Sequence, residues 1–269
     1  MRIVFATSEA NPYIKSGGLA DVLGSLPKAL VQKGHECIVV LPKYQDMKLA
    51  DTLEYVTNYD IWVGWRKCYC GVFKAEYDGV TYYFIDNEQY FRRPGLYGYD
   101  DDNERFAYFD FAVLELLSHI DIKPDILHLH DWQTAMIATL YKERYAYYEY
   151  YQGIKIVFTI HNIAYQGKCD PALLSDHFGL DNYLYYNGNC RNDGCFNMMK
   201  AAIYYSDIIT TVSPTYAQEI LTDSFGEGLQ NILQMRRHDL YGILNGIDYE
   251  TINPTTDPEI VEHFDITNV

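Results

Sequence analysis

Short apolar runs and amphipathic segments alternate along the chain from residue 2 to about residue 244. Residues 2–7 are mostly β-branched or aromatic, the pattern typical of a buried parallel strand. Apolar residues then recur at helical spacing, and Gly34 stands where a helix would end. The apolar stripe of this predicted helix comprises Leu19, Val22, Leu23, Leu26, Leu30 and Val31. The chain is therefore predicted to open as strand, loop and helix.

The same alternation continues through the rest of the chain. Helices are predicted at residues 106–117, 132–145 and 196–205. Another helix is predicted to begin at Ser213 and Pro214, because serine is a favoured N-cap and proline is favoured at the first helical position. Strands that alternate with helices indicate an α/β fold with a doubly wound, Rossmann-like parallel sheet. The later strands of this sheet are predicted at residues 35–41, 126–130, 154–160, 207–212 and 240–244.

The pattern changes between residues 52 and 84, where strand-like runs are strongly aromatic. These runs lie at residues 61–63, 70–75 and 80–85, and Asp78 and Gly79 between the last two form a hairpin signal. We therefore expect a small antiparallel excursion from the parallel sheet.

Polar side chains gather where the predicted strands end, and in doubly wound sheets ligands bind beyond the carboxyl ends of the strands. Two glycines at a helix start let backbone N–H groups approach a ligand closely, and the helix dipole there favours an anion. A glycine pair is equally typical of a flexible loop, and a histidine at a strand end is often only a structural hydrogen-bonding residue, so both interpretations stay open. The polar residues at these ends are Lys15, Gly17, Gly18, His130, Asp131, His161, Asn162, Ser213 and Asn245.

Composition narrows the class of protein. The 269 residues, of which 48% are hydrophobic, suffice for one large α/β domain or two small ones. The formal net charge of -16 argues against nucleic acid as a partner, since a phosphate-tracking surface needs a basic stripe. No apolar run reaches about 18 residues and no basic-then-apolar leader precedes the first strand, so neither a membrane span nor a signal peptide is expected.

Marks of metal, hydride-transfer and phosphoryl-transfer chemistry are weak. The six cysteines lack zinc-site spacing, which favours free thiols in a cytoplasmic protein. Asp100, Asp101 and Asp102 suggest a metal site, but they precede a predicted helix, where acidic residues cap the helix and meet its dipole. Neither a Walker A lysine motif nor a complete dinucleotide-binding glycine motif occurs. We therefore expect capping rather than metal binding.

Several stretches resemble, in the same order, the motifs of bacterial glycogen synthases and plant starch synthases (glycosyltransferase family 5). The first is KSGGLADV at residues 15–22, which resembles the K-x-G-G-L signature of that family. The resemblance covers nearly the whole chain. Its other motifs are LPKY at 41–44, HLHDW at 128–132, TIHNIAYQG at 159–167, TVSPTYA at 211–217, LNGID at 244–248 and NP at 253–254.

The resemblance implies a GT-B fold and transfer of glucose from ADP-glucose to the non-reducing end of an α-1,4-glucan, with retention of configuration. It implies that Lys15 and the amides of Gly17 and Gly18 lie at the donor's diphosphate and glucose, with Asp21 at the mouth of the site. It further implies that His161 holds the transferred sugar. His161, Lys15 and Asp131 are thus the predicted catalytic residues.

Further binding residues follow from the same resemblance. Tyr99, Asp131 and Asn162 are expected to line the sugar and acceptor side, Arg105 to support the neighbouring loop, and Asn245 to approach the donor. No metal or other cofactor is expected, because a lysine and helix-start amides meet the phosphate charge on the leaving ADP.

The chain departs from the family pattern at two places. Arg191 begins the stretch RNDGCFN at residues 191–197, where relatives usually carry a glutamate, which affects an acceptor-side contact. Ile252 replaces a common tryptophan, which we interpret as a packing change.

The family's second domain, which binds the adenosine, has no counterpart among these residues. Residues 1–269 are therefore predicted to be the N-terminal, acceptor-side catalytic domain of a GT-B enzyme, inactive without its C-terminal nucleotide-binding partner. A stand-alone glucan-binding or regulatory module derived from such an enzyme is the alternative. A relative that uses UDP-glucose also stays open.

Overall fold

The computed structural model describes residues 1–249, 252–258 and 260–267, so the predicted domain boundary at Val269 lies outside the described residues. The strands are β1 (Arg2–Ala6), β2 (Glu36–Pro42), β3 (Glu54–Val63), β4 (Arg66–Tyr77), β5 (Val80–Asp86), β6 (Ile126–His130), β7 (Lys155–Ile160), β8 (Lys168–Cys169), β9 (Arg191–Asn192), β10 (Cys195–Asn197), β11 (Ile208–Thr211) and β12 (Leu240–Gly242). The α-helices are α1 (Gly18–Gln32), α2 (Glu88–Phe91), α3 (Asp102–His119), α4 (Met136–Glu143), α5 (Leu173–Asp176), α6 (Tyr183–Tyr186), α7 (Met198–Tyr205), α8 (Pro214–Glu219) and α9 (Gln230–Met235). Single turns of 3-10 helix lie at Ala50–Thr52, Trp132–Thr134, Tyr145–Tyr147 and Glu149–Tyr151.

One large sheet organises the described residues, with strand order β12-β11-β7-β6-β1-β2-β5-β4-β3. All pairs from β12 to β5 are parallel, and β4 and β3 extend the sheet in antiparallel pairing. The order reverses at β1, because the chain first winds outward through β2 and β5 and then returns to β6 on the other side. The prediction of a doubly wound α/β sheet is confirmed, and so is the antiparallel excursion, although its strands are the longest in the sheet.

Helices cover both faces of this sheet. The connection from β1 to β2 runs across the sheet in one direction, and the connections through β6, β7 and β11 run in the other. Because such crossovers are right-handed, α1 lies on one face and the contiguous helices α3, α4, α7 and α9 lie on the other. The two faces of β6 differ accordingly. Leu127 and Leu129 are fully buried apolar residues on one face. His128 and the equally buried His130 lie on the α1 face and line a groove of about 250 Å³. The alternation of side chains along β6 thus places its two leucines on one face of the sheet and its two histidines on the other.

Local chemistry explains several element ends. Gly34 follows α1 with φ of +85°, and its N–H donates to the carbonyl of Val31, so the predicted helix stop is confirmed. Ser213 caps α8 by accepting a hydrogen bond from the Tyr216 N–H at 3.0 Å. Asp78 and Gly79 both have positive φ between β4 and β5, as a tight hairpin turn requires.

Other boundaries differ from the predictions. The helix predicted at residues 132–145 is divided into a 3-10 turn and the shorter α4. Phe196 lies in β10 rather than in a helix, and Asn197 caps α7 by accepting from the Lys200 N–H. Strands β8, β10 and β9 form a separate small sheet that the sequence pattern did not indicate. Two- and three-residue strands carry too few side chains to show a periodicity.

The acidic run before α3 also differs from the prediction. Asp101 occupies the N-cap position but makes no side-chain cap hydrogen bond, because its carboxylate pairs with Arg93 at 2.7 Å. Asp102 instead lies in the first turn and accepts from the Gly98 N–H. The predicted side-chain cap is therefore wrong for Asp101, while the favourable position at the helix dipole holds for Asp102.

Candidate functional site

A cleft of about 820 Å³ opens at the carboxyl ends of the central strands. Six separate segments of the chain contribute to its lining: the loop after β1 with the start of α1, the loop before α3 with Asp102, and the residues that follow β6, β7, β11 and β12. Doubly wound sheets bind ligands in this position. The lining residues are Glu9, Ser16, Gly17, Gly18, Leu19, Tyr97, Gly98, Asp102, Asp131, Trp132, Gln133, His161, Asn162, Tyr165, Val212 and Asn245.

The glycine pair lies at the start of α1 and forms part of the cleft wall. Gly17 is the N-cap residue with extended backbone, φ of −154°, and Gly18 is the first helical residue. A Cβ built on Gly18 meets nothing within 4 Å, and one on Gly17 meets only a carboxylate oxygen of Glu9 at 3.9 Å. Neither the backbone conformation nor the packing of the chain therefore requires glycine here, and the space beside these amides is open to a ligand.

Lys15 lies at the rim of this cleft and not among its lining residues. Its Nζ lies 2.7 Å from both carboxylate oxygens of Asp21, one turn into α1. Both side chains are about half exposed, at 52% and 51%. The lysine is therefore an exposed residue that pairs with the first turn of α1, next to the two glycines.

Glu9 supports the glycine loop from behind and was not selected by the sequence analysis. The residue is buried, with 3% exposure, and its Oε2 accepts a hydrogen bond from the Ser16 N–H. Its other oxygen, Oε1, faces Gly17. A buried carboxylate that binds only one backbone N–H leaves acceptor capacity on the cleft side.

Asp131 joins the ends of β6 and β7. Its Oδ1 accepts from the backbone N–H of His161 at 2.8 Å and from that of Asn162 at 3.4 Å. Its own backbone has φ of 58° and ψ of −175°, a region that is costly for any residue except glycine. Burial raises the pKa of Asp131 to about 7, although the two backbone N–H groups oppose the shift. A strained, partly buried carboxylate with a perturbed pKa is typical of a functional site.

Three histidines extend from the cleft into the α1 face of the sheet. His161 Nε2 lies 2.9 Å from His130 Nδ1, and the ring of His130 lies 4.3 Å from that of His128, centroid to centroid. His128 Nε2 in turn lies 2.7 Å from the hydroxyl of Thr159. Burial lowers the pKa of His161 to about 4 and that of His128 to about 3, and it lowers the pKa of His130 as well. All three rings are therefore neutral at pH 7.

The loop before α3 forms another part of the cleft wall. Arg105 is fully buried, donates to the carbonyls of Tyr90 and Leu96, and pairs with Asp102 at 2.5 Å. It lies behind the wall, where it holds this loop in place. Tyr99 stacks on the Arg105 guanidinium at 5.1 Å and donates to the Pro94 carbonyl, so it does not line the cleft. Tyr97 takes that position, with its hydroxyl 2.7 Å from Ser8 Oγ.

The charged groups of the cleft wall are all acidic. Glu9, Asp102 and Asp131 line it, and among the described residues no lysine or arginine does. Lys15 at the rim is paired with Asp21. Such a surface suits a sugar that develops positive charge better than it suits a free diphosphate.

The structure thus brings most of the predicted site residues together at one cleft. Lys15 and Asp21 lie at its rim, and Arg105 and Tyr99 lie behind its wall. Ser213 serves as a helix cap, and the adjacent Val212 reaches the cleft. The predicted residues that line the cleft are Gly17, Gly18, Asp131, His161, Asn162 and Asn245. Their roles with substrates stay predictions.

Sequence reasoning missed several residues of the wall. Tyr97 comes from the loop before α3, and its contact with Ser8 is distant in sequence and has no local signal. Glu9 lies in the loop directly after β1, so its position at a strand end was the available signal. Trp132 and Tyr165 lie inside the HLHDW and TIHNIAYQG motifs, so their nearness to the strand ends was the available signal. Gly167 packs against Trp132, since a Cβ there would lie 2.7 Å from the indole ring.

Comparison with known proteins connects this geometry to a family. The starch synthase catalytic domain matches residues 2–235. The chain belongs to the family of starch synthase catalytic domains. Glycogen synthase from Clostridium botulinum (strain Eklund 17B / Type B) is 50% identical over the whole chain, and glycogen synthase from Lactobacillus acidophilus is 49% identical over 99% of it.

A solved structure supports the fold of this starch synthase family member. The catalytic domain of starch synthase IV from Arabidopsis thaliana, bound to ADP and acarbose, is 38% identical over 99% of the chain, with a TM-score of 0.91. The chain spans 57% of the length of the Clostridium protein and 56% of that solved chain. The relatives therefore carry additional residues beyond the part that corresponds to this chain. No helix in the described ranges is long and apolar enough to cross a membrane.

Proposed function

We propose that this chain forms the acceptor-side half of a glycogen synthase, which transfers glucose from ADP-glucose to the non-reducing end of an α-1,4-glucan with retention. Residues 1–269 would constitute the N-terminal domain of a GT-B enzyme. A second, nucleotide-binding domain would close the donor site from the other side. The family, the cleft at the strand ends and the ligands named for the Arabidopsis structure support this proposal.

The open space at Gly17 and Gly18 is the observation that carries the proposal. Both residues are glycine although neither has a positive φ and neither is crowded at the Cβ position. Glycine at such a position is explained by a ligand that must approach the backbone N–H groups. At the start of a 15-residue helix, these N–H groups favour a phosphate oxygen of the donor.

The charges of the cleft fit glycosyl transfer. The breaking bond places positive charge on the glucose ring and negative charge on the departing diphosphate. In the proposed arrangement the carboxylates of Glu9 and Asp131 lie on the sugar side, and Lys15 with the amides of Gly17 and Gly18 lies on the phosphate side. Asp131 also positions His161 and Asn162 beside the sugar through their backbone N–H groups.

Three further elements of the proposal concern cofactor, acceptor and location. The negative charge of the phosphates is stabilised by Lys15, the helix-start amides and groups of the second domain, so the reaction proceeds without a metal. Tyr165, which is 66% exposed on the wall, offers a ring face for the glucan acceptor. The enzyme acts in the cytoplasm.

The test begins with the native reading frame. We expect it to continue past residue 269, and we expect the encoded polypeptide to transfer glucose from ADP-glucose to maltooligosaccharide. UDP-glucose in competition distinguishes the two donors. Failure of the native polypeptide to transfer glucose from either donor would contradict the proposal.

A non-catalytic glucan-binding or regulatory module is the second candidate. The acidic wall favours it for the chain by itself, since no lysine or arginine among the described residues lines the cleft to hold a diphosphate. A reading frame that ends at residue 269, with saturable maltooligosaccharide binding and no turnover, would favour this candidate over the enzyme.

A further inference from the structure

His130 is a fully buried histidine that the proposed reaction does not itself use. Its Nδ1 lies 2.9 Å from Nε2 of His161, which lines the cleft. Two neutral imidazoles at this distance share one proton, so one ring donates and the other accepts. His130 therefore determines which nitrogen of His161 carries hydrogen.

The backbone around His130 gives this pair little freedom. The His130 N–H donates to Thr134 Oγ1 at 2.8 Å, and the Thr134 hydroxyl donates back to the His130 carbonyl at 3.0 Å. The next residue, Asp131, accepts from the His161 N–H at 2.8 Å. Two consecutive residues at the end of β6 thus hold His161, one by its ring and the other by its backbone.

The surroundings of His130 decide the direction of the hydrogen bond. Its Nε2 is buried and has no hydrogen-bond partner, and the ring lies between Phe5 and His128. A hydrogen on Nε2 would leave an orphaned buried N–H group, which is rare in proteins. The hydrogen therefore resides on Nδ1 of His130 and points to His161 Nε2.

We propose that His130 is a positioning residue that holds His161 in its Nδ1–H form, so that His161 directs an N–H donor at an oxygen atom of the bound sugar or phosphate. A neutral ring whose Nε2 accepts a hydrogen bond carries its own hydrogen on Nδ1. The Nδ1–H group of His161 is thus available as a hydrogen-bond donor while the ring stays neutral. The role of this donor in transfer rests on the proposed function, whereas the tautomer itself does not.

The direct test is the tautomer of His161, measured by long-range ¹H–¹⁵N correlation on histidine-labelled chain. We expect a single neutral tautomer with hydrogen on Nδ1. His130→Leu removes the ring nitrogen, so the Nε2–H form of His161 should appear. His130→Asn is isosteric with the leucine variant and restores an N–H donor at the δ position, so it should return His161 to its Nδ1–H form.

His128→Leu is the matched control, because it is the same substitution two residues earlier on the same face of β6. His128 bonds Thr159 rather than His161, so the His161 tautomer should not change. An Nε2–H tautomer in the unsubstituted chain would overturn the proposal, and so would an unchanged tautomer in His130→Leu. If His130→Leu fails to fold, the unsubstituted chain and His130→Asn decide the question.

Kinetics of the native polypeptide supply the second readout. His130→Leu should lower kcat about tenfold, the factor expected for one neutral hydrogen bond, with the acceptor KM unchanged. His130→Asn should recover most of this loss. Equal kcat values for the leucine and asparagine variants would overturn the positioning role. Absence of transferase activity in the unsubstituted protein would contradict the proposed function and leave the tautomer result to stand alone.

Discussion

Lys15 Nζ lies 2.7 Å from both carboxylate oxygens of Asp21, across the first turn of α1 and beside Gly17 and Gly18. This pair places a cation at the start of a helix whose first N–H groups are open to the cleft. In the proposed enzyme, Asp21 holds the lysine in reach of the donor phosphates, and the phosphates then compete with Asp21 for it.

Lys15→Ala should therefore raise the KM for ADP-glucose and lower kcat/KM by about 10²-fold in the native polypeptide, since a fixed cation meets the charge of the leaving group. Steady-state kinetics with maltooligosaccharide acceptor measure this effect. Lys67→Ala is the matched control, because Lys67 pairs with Asp60 at the same 2.7 Å and with similar exposure, far along the chain in β4. An unchanged rate for Lys15→Ala would refute this part of the site.

Gly18→Ala separates the ligand role of the glycine from its role in folding. Because a Cβ at Gly18 meets nothing within 4 Å, the variant should keep or raise the free energy of unfolding, by about 0.5–1 kcal/mol. Donor affinity should fall at least about tenfold, since the new methyl group occupies the approach to the amides. Chemical denaturation and donor titration measure the two quantities.

Gly24→Ala provides the contrast for that experiment. Its Cβ would lie 3.0 Å from both Cβ and the carbonyl oxygen of Asn11, so the variant should destabilise the fold by about 1–3 kcal/mol and change donor affinity little. If both glycine variants altered stability and affinity in the same way, the distinction between a ligand-contacting and a packing glycine would be wrong.

The histidines predict a loss of stability in acid. The folded pKa of His161, about 4, lies below its ordinary value of 6.5, so protonation favours the unfolded chain. The contribution of His161 to the free energy of unfolding is fully present above pH 6.5. About 3 kcal/mol of it is lost as the pH falls towards 4. Denaturant titrations between pH 4.5 and pH 7.5 should show unfolding free energies that decline over this window.

Asp131→Asn should make that acid decline steeper. The folded pKa of Asp131 is raised to about 7. Its contribution to the free energy of unfolding is therefore fully present below pH 3.8 and is lost as the pH rises through 7, a pH dependence opposite in sign to that of the histidines. Asparagine removes this opposing titration and keeps an oxygen that accepts from the N–H groups of His161 and Asn162. An identical pH dependence in the two proteins would show that Asp131 does not titrate in this range.

The 269-residue chain by itself should transfer glucose from ADP-glucose at least about 10³-fold more slowly than the native polypeptide. The reason is electrostatic, because the charged residues of the cleft wall are Glu9, Asp102 and Asp131. Transfer of label from ADP-glucose to maltooligosaccharide measures this. Efficient transfer by the isolated chain would show that the cleft described here holds the whole donor site.

The sequence pattern was sufficient for the parallel sheet, for the antiparallel excursion and for the position of α1, because the strands appear as apolar or aromatic runs and α1 repeats its apolar stripe over several turns. It failed for the helix predicted at residues 132–145, which the structure divides into a 3-10 turn at Trp132–Thr134 and the shorter α4. It also missed the small sheet of β8, β10 and β9, whose strands are two or three residues long.

The candidate site was predictable as far as local motifs reach. Gly17, Gly18, Asp131, His161 and Asn162 each follow a strand, and parallel strands end at the same edge of a sheet, so their convergence follows from strand order. Glu9 follows β1 directly and was predictable in the same way, although it was not selected. Tyr97 was not predictable, because its loop reaches the cleft through contacts distant in sequence, such as that with Ser8.

The amino-acid sequence by itself determined the strand and helix types, the edge of the sheet that carries the polar residues and the likeness to glycogen and starch synthases. These properties depend on short-range periodicity and on the chemistry of residues adjacent in the chain. Only the tertiary structure decided that Lys15 pairs with Asp21, that Tyr97 rather than Tyr99 faces the cleft, and that His130 bonds His161. The paths of the loops set the first two of these contacts. Strand register sets the third, because a shift of one residue would turn the side chain of His130 to the opposite face of β6.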